Sequence, residues 1–248
     1  MALLTHVLAN TDFGSPTGVT NAADQANKLW RITGYLSIPI GLLVLGLILW
    51  CVVRYRHRPD SDRKPAQFQY HIPLEITYTV IPMIIVAVLF GFLFSAQNKV
   101  DAVSKDPAVK ITVYGFQWGW KFVYPNGHQQ IGTISNEQNI DSNSNLPVLV
   151  MPANEKVEFH VVSLDVIHTF YVKEFLFQRD LIPGINNVFD LTASTPGIYE
   201  GQCNTLCGEY HAYMRFLVDV MTPQDYRTWY GNQAPGSITS AGSGAARP

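Results

Sequence analysis

Residues 201–214 read GQCNTLCGEYHAYM and place four potential metal ligands on one short segment. Cys203 and Cys207 lie four residues apart, His211 follows four residues later, and Met214 lies three residues beyond it. Soft sulfur ligands select copper, and thiolate with imidazole and a weak axial thioether is the ligand set of copper electron-transfer sites. The spacing therefore predicts a copper-binding loop.

One loop cannot surround a metal, so a second histidine has to come from another part of the fold. His168 is the best candidate, because it lies in LDVIHTFY, residues 164–171, a β-rich segment about 35 residues upstream of the loop. Two other interpretations stay open. The two cysteines could form a disulfide on the oxidising side of a membrane, which leaves the histidine and methionine unexplained. A structural zinc ion could bind instead, although zinc loops favour tighter cysteine spacing.

The second cysteine separates this loop from a mononuclear blue-copper site, which uses a single thiolate. The pattern C-x3-C-x3-H-x2-M, preceded by D-V-x-H, resembles the binuclear CuA loop of subunit 2 of the haem-copper cytochrome c oxidases. The resemblance implies that Cys203 and Cys207 bridge two copper ions. His168 and Met214 would complete one copper, and His211 with the backbone carbonyl of Thr205 would complete the other.

Composition and charge indicate a membrane protein with an acidic outer domain. Of the 248 residues, 47% are hydrophobic and 15% are charged, which is poor in charge for a soluble protein. From Asp101 onward there are 9 basic and 14 acidic residues, a net charge of −5. This balance suits a basic protein partner and argues against nucleic acid.

Two apolar runs predict a transmembrane hairpin over residues 30–98, after an N-terminal arm formed by residues 1–29. The first run covers residues 32–53 and the second residues 72–96, and each is long enough to span a bilayer core of about 30 Å. The connecting loop, residues 54–71, carries five basic residues and is therefore predicted to be cytoplasmic. Both termini would then lie outside the cytoplasm. We expect an integral protein of a respiratory membrane, the bacterial cell membrane.

Residues 99–230 are predicted to form an all-β, cupredoxin-like Greek-key domain, followed by a flexible tail over residues 231–248. Alternation of aromatic and β-branched residues predicts one strand over residues 110–124, with Trp118 and Trp120 on the same face, closed by a hairpin turn at Pro125-Asn126-Gly127. Further strands are predicted at 147–150, 156–163, 169–172, 184–192 and 215–220. A short helix is expected to begin at Thr222 or Pro223.

The resemblance also implies roles for residues outside the loop. Trp118, in the run FQWGW, matches the tryptophan that receives electrons from cytochrome c, and acidic residues at the rim, Asp165, Glu174 and Glu209, would steer that donor. Glu75 matches a glutamate near the entrance of a proton path, although an acid at a helix N-terminus is also ordinary dipole compensation.

The resemblance implies a multisubunit oxidase, with subunit 1 and subunit 3 as partners and the haem groups in subunit 1. The chain has no C-x-x-C-H haem-attachment motif. Thr205 stands where the family often has a glutamate that also reaches a magnesium ion, and a hydroxyl is a weaker magnesium ligand, so the magnesium site is in doubt. The alternative to an oxidase subunit is a membrane-anchored protein that binds or delivers copper.

Overall fold

The computed structural model describes residues 14–56, 67–134 and 146–240, and these form two compact units. One unit contains residues 28–97. The other contains residues 16–27 and the chain from Asn98 onward. Parts of the predicted arm, basic loop and tail, residues 1–13, 57–66 and 241–248, lie outside the described residues.

Two long helices dominate the N-terminal part of the chain: α1, Asn21–Arg54, and α2, Ile72–Val100. At 1.5 Å per residue each is longer than the roughly 30 Å of a bilayer core. Both are long and apolar enough to cross a membrane. Most of the side chains along both helices are exposed, from Leu42 to Val53 and from Ile81 to Met83 for example, as expected of surfaces that face lipid or other subunits.

The predicted arm is wrong from Asn21 onward, because α1 begins there rather than near Trp30. Thr20 caps the helix: its hydroxyl accepts the Ala23 amide at 3.1 Å, and Asp24 lies in the first turn, where an acid complements the helix dipole. The segment before α1 is held by the β-domain, since Thr20 forms a bridge with Ala193 and donates its hydroxyl to the Phe175 carbonyl.

The C-terminal part is a two-sheet β-sandwich, as the sequence predicts. Its strands are β1 Val109–Phe116, β2 Gly119–Val123, β3 Gln129–Thr133, β4 Val148–Pro152, β5 Val157–Ser163, β6 His168–Val172, β7 Phe177–Leu181, β8 Asn187–Leu191, β9 Gly197–Cys203, β10 Arg215–Met221 and β11 Ile238–Ser240. One sheet has the order β11-β3-β2-β1-β5-β8 and the other β4-β10-β9-β6-β7.

The strand predicted over residues 110–124 is in fact two strands. The chain turns at Gln117 and Trp118, and β1 and β2 pair antiparallel, with Phe116 opposite Gly119. Trp118 therefore lies in a tight turn and not on the strand face that carries Trp120. The hairpin turn predicted at residues 125–127 is confirmed, because β2 pairs antiparallel with β3.

Aromatic rings fill the space between the sheets. Trp120, Phe170 and Phe216 are fully buried, and the Phe216 ring lies 5.0 Å from Trp120 and 5.1 Å from Phe170, centroid to centroid. Gly201 on β9 makes room for this cluster, since a Cβ there would lie 2.2 Å from the Phe216 ring. The cluster packs directly behind the end of the sandwich that holds the cysteines.

The C-terminal elements differ in part from prediction. Helix α3, Pro223–Gly231, begins after Thr222, whose side chain accepts the Asp225 amide, so this prediction is confirmed. The predicted flexible tail begins too early, because β11, Ile238–Ser240, pairs in parallel with β3.

Candidate metal centre

Antiparallel pairing of β6 and β9 positions the centre. His168 is the first residue of β6 and Cys203 is the last of β9, and Phe170 lies opposite Cys203 in the register. Both side chains therefore emerge at the same end of the sandwich. The Cys203 amide donates to the Met214 carbonyl at 3.0 Å, which closes the loop between β9 and β10.

The loop brings the predicted donor atoms together. The Cys203 and Cys207 sulfurs are 3.8 Å apart, and Cys207 Sγ lies 3.7 Å from Met214 Sδ. Each sulfur also faces a histidine: His168 Nδ1 lies 3.9 Å from Cys203 Sγ, and His211 Nδ1 lies 3.6 Å from Cys207 Sγ. The contact distances join all four loop side chains and His168 into one continuous cluster.

A backbone oxygen completes the set. The carbonyl oxygen of Thr205 lies 3.2 Å from Cys203 Sγ. The hydroxyl of Thr205 points elsewhere, because it lies 2.5 Å from the Thr169 hydroxyl, which in turn donates to Asp180 Oδ1 at 2.6 Å. The Thr205 carbonyl can therefore face a metal bound at the cysteines while the Thr205 hydroxyl keeps its hydrogen bond with Thr169.

The centre is shielded from solvent. His168, Cys203, Cys207 and Met214 are each no more than 3% exposed, and His211 is half-buried. Ligand atoms of His168 and the two cysteines lie within 4.8 Å of one another, close enough to hold one metal ion. A buried set of two thiols, a thioether and two imidazoles matches the preferences of a soft metal.

Both cysteines are free thiols. Their sulfurs are almost twice as far apart as in a disulfide, where the bond is about 2.05 Å. The alternative of a disulfide is therefore absent from this structure.

Hydrogen bonding makes the two thiols electrostatically unequal. Burial raises the pKa of Cys203, but hydrogen bonds with His168 and with the Thr169 and Thr205 backbone outweigh it and lower the pKa to about 6. Burial raises the pKa of Cys207, and the adjacent Cys203 sulfur raises it further. The Cys203 thiol therefore loses its proton more readily than the Cys207 thiol, and a metal bound through both sulfurs has to displace the proton of Cys207.

Asp165 has a role that the sequence analysis missed. Its carboxylate accepts a hydrogen bond from His168 Nε2 at 2.7 Å, and it also accepts the amides of Gln117 and Val166 at 2.7 and 2.6 Å. This contact turns His168 Nδ1 toward the sulfurs, as carboxylates do for metal-bound histidines. The spacing of three residues between Asp165 and His168 was a signal for this pairing.

The predicted acidic rim is wrong in one of its three members. Asp165 is exposed beside the centre, where its carboxylate accepts the hydrogen bond from His168. Glu174 lies beyond the far end of β6, which rises by about 13 Å between His168 and Val172. Its main chain accepts the Val19 amide, away from the copper loop. Glu209, in the loop itself, is exposed near the centre, as Asp165 is.

Trp118 lies against the loop but is not one of the predicted copper ligands. Its indole ring meets Tyr210 edge to face, with 4.9 Å between ring centroids. The neighbouring Gln117 side chain donates to the Cys207 carbonyl at 2.7 Å. The turn between β1 and β2 is therefore tied to the segment that carries both cysteines.

Glu75 belongs to the other compact unit. It lies in the first turn of α2, where its carboxylate accepts the His71 amide at 2.9 Å. This contact caps the helix, in agreement with the dipole interpretation. The role of Glu75 at a proton path stays a prediction.

The fold and the site together define a class: a cupredoxin-like domain with a soft-metal centre at one end, preceded by two helices able to anchor it in a membrane. Residues 109–221 match the family model for the periplasmic domain of cytochrome c oxidase subunit II. A probable cytochrome c oxidase subunit 2 of Nocardia farcinica is 33% identical over 284 aligned residues, which cover 92% of this chain and 76% of the relative. The chain belongs to the cytochrome c oxidase subunit 2 family and is a subunit of an oxidoreductase.

A second relative and one solved structure are also similar to this chain. A probable cytochrome c oxidase subunit 2 of Streptomyces avermitilis is 35% identical over 244 residues, which cover 86% of this chain and 76% of the relative. The crystal structure of the periplasmic domain of subunit II (CoxB) from Bradyrhizobium japonicum is 28% identical, with a TM-score of 0.46 over 52% of this chain and 95% of that chain.

Proposed function

We propose that this chain receives electrons for a haem-copper cytochrome c oxidase through a binuclear CuA centre. The observation that carries the proposal is the cluster of six donors at one end of the β-domain, which matches the ligand set implied by the sequence. These donors are the side chains of His168, Cys203, Cys207, His211 and Met214, and the Thr205 carbonyl.

The spacing of the sulfurs suits ions that are shared between them. Metal–sulfur bonds of about 2.3 Å reach across at most about 4.6 Å when two sulfurs bind one ion, and the Cys203 and Cys207 sulfurs are 3.8 Å apart. The thioether of Met214 beside Cys207 favours copper over zinc, because zinc sites are built from thiolate, imidazole and carboxylate.

The protein contributes rigidity and burial. Two copper ions sharing both thiolates would spread one electron over a compact core that changes little between oxidation states. Asp165 fixes the His168 ring, β9 and β10 fix the two ends of the loop, and the aromatic cluster of Trp120, Phe170 and Phe216 blocks movement from behind. Preorganisation of this kind keeps the ligands from rearranging during electron transfer.

Electrons would arrive from cytochrome c or a cytochrome c domain at Trp118 and leave toward haem in subunit 1, where oxygen is reduced and protons are pumped. Two features support Trp118: its half-buried indole lies at the surface turn, and this turn contacts the copper loop through Gln117 and Tyr210. Subunit 3 would complete the core of the enzyme in the bacterial cell membrane, with both termini of this chain outside the cytoplasm.

One further role is proposed, and one is not. Glu75 would lie by the entrance of a proton path, as its counterpart in the family does. A magnesium ion near Thr205 is not proposed, because the Thr205 hydroxyl is hydrogen-bonded to Thr169.

Copper stoichiometry tests the proposal. The purified chain should bind two copper ions, and Cys203→Ser or Cys207→Ser should each abolish the binuclear site, because either substitution removes a shared ligand. Cys51→Ser is the matched control: Cys51 is exposed on α1, outside the β-domain, and its loss should change nothing. Binding of two ions by either loop variant would contradict the proposal.

A further inference from the structure

We propose that Tyr210 is a positioning residue for electron transfer: it holds the Trp118 indole against the main chain beside Cys207, and electrons leave Trp118 through this edge. The inference rests on the proposed function, since it assumes that Trp118 receives the electron. It adds the route from Trp118 to the metal centre and the residue that keeps the route in place.

The edge of the indole that meets the loop is well defined. A Cβ built on Gly208 would lie 3.0 Å from Trp118 Cζ2 and 3.2 Å from Trp118 Nε1. Gly208 has a φ of +123°, a conformation that side-chain-bearing residues rarely adopt. The glycine therefore lets the outer edge of the indole approach the main chain directly, one residue after Cys207.

The indole is not held there by hydrogen bonding. Trp118 Nε1 is buried and has no hydrogen-bond partner within the described ranges of the chain. On another side the ring borders a small surface pocket that it shares with Thr133 and Tyr213. Its close aromatic neighbour is Tyr210, whose ring meets it at 82° with centroids 4.9 Å apart. Edge-to-face pairs of this kind are attractive beyond their buried area.

The contact at Gly208 gives a short path. The gap between the indole edge and the Gly208 main chain is too narrow for a Cβ to fit without a close contact. From Gly208 to the Cys207 sulfur the path runs along covalent bonds of two adjacent residues. A ferrous haem of the donor would lose one electron and become ferric, the copper pair would gain that electron, and no bond or proton would be exchanged. Electron transfer depends on close contact, so the docked position of the indole decides the rate.

The first test measures electron transfer in the assembled oxidase. At saturating reduced cytochrome c, Tyr210→Leu should slow the limiting rate of copper reduction by up to about tenfold, because losing an edge-to-face pair lowers the equilibrium constant for docking of the indole by about two- to tenfold. Tyr210→Phe keeps the ring and should restore the wild-type rate. The donor concentration at half-maximal rate should not change, because docking of cytochrome c is unaffected.

Trp118→Leu in the same assay separates the two proposals. If Trp118→Leu does not slow copper reduction, the proposed function of Trp118 fails. If Trp118→Leu slows it but Tyr210→Leu leaves it unchanged, only the role of Tyr210 is overturned. Trp118→Phe, which lacks the outer edge that meets Gly208, should be as slow as Trp118→Leu; a wild-type rate would overturn the route.

The second test needs no copper and no catalysis. In the copper-free full chain labelled with 15N-tryptophan, the Trp118 indole N–H should exchange slowly with solvent, because Nε1 is buried. Tyr210→Leu should speed this exchange, while Tyr210→Phe should not, and thermal unfolding of the β-domain should be similar in both variants. Equal exchange in the leucine and phenylalanine variants would show that Tyr210 does not hold the indole.

Discussion

Asp165→Asn tests whether the outer carboxylate orients the metal ligand His168. Oδ1 of Asp165 accepts from His168 Nε2 and Val166 N, and Oδ2 accepts from Gln117 N. An amide has a single oxygen. This oxygen can accept hydrogen bonds on one side of the side chain only. On the other side the NH2 group must face an N–H donor.

Both orientations of the new amide weaken metal binding. If the oxygen faces His168, the NH2 group meets the Gln117 amide and the turn is pushed away. If the NH2 group faces His168, Nε2 must accept, and the ring proton moves to Nδ1, the atom that faces the Cys203 sulfur. His168 is fully buried, so water cannot replace the lost partner of its Nε2 atom.

The expected loss follows from these contacts. A buried donor left unpaired costs about 1–3 kcal/mol. This agrees with the 10- to 100-fold loss in metal affinity that is typical when the outer partner of a metal-bound histidine is removed. Copper affinity of the purified chain, measured by competition with a chelator of known affinity, should therefore fall by about 10- to 100-fold.

Glu209→Gln is the matched control. It makes the same change from acid to amide on the exposed face of the copper loop. Copper affinity in this variant should stay within about threefold of wild type, because surface charges contribute little. Equal affinities in Asp165→Asn and Glu209→Gln would refute the reasoning.

Three further predictions concern stability of the β-domain, measured by thermal or denaturant unfolding. Gly201→Ala should destabilise it by about 1–3 kcal/mol, since the added methyl overlaps the Phe216 ring; an unchanged midpoint would mean that the ring moves freely. Thr222→Ala should cost about 1 kcal/mol through loss of the α3 cap, and Thr222→Ser should recover most of it. Burial lowers the pKa of His128 in the folded chain, so the unfolded chain binds the proton more readily. The β-domain should therefore lose stability as the pH falls from about 6.5 through the lowered pKa of His128. His128→Gln should flatten this dependence, and an equally steep loss in the variant would assign it to other groups.

The sequence was sufficient to predict the two helices, the β-sandwich and the meeting of His168 with the loop. Long apolar runs and a loop of four ligands are local signals that tertiary packing does not easily override. The start of α1 had a signal as well, because Thr20 precedes a helical segment with Asp24 in its first turn. The prediction of an arm over residues 1–29 overlooked this signal.

The missed features depend on contacts between distant segments. Residues 110–124 keep a β pattern through Gln117 and Trp118, so periodicity alone could not place the turn between β1 and β2. β11 is three residues long and exists because it pairs with β3. The Trp118–Tyr210 pair joins residues 92 positions apart, and the turn and the copper loop meet only in the folded domain.

Glu174 shows the same limit. In sequence it lies six residues after His168 and looks like a neighbour of the loop. Because β6 is extended, the intervening residues carry Glu174 along the sandwich to the opposite end. Proximity to a ligand in sequence therefore does not give proximity in space when the intervening element is an extended strand.

The central claim is that Cys203 and Cys207 hold two copper ions that share one electron. Electron paramagnetic resonance of the partly oxidised, copper-loaded chain tests it directly. The account predicts hyperfine structure from one unpaired electron delocalised over two copper nuclei, lost in Cys203→Ser and in Cys207→Ser and retained in Cys51→Ser. Hyperfine structure from a single copper nucleus in the wild-type chain would contradict it.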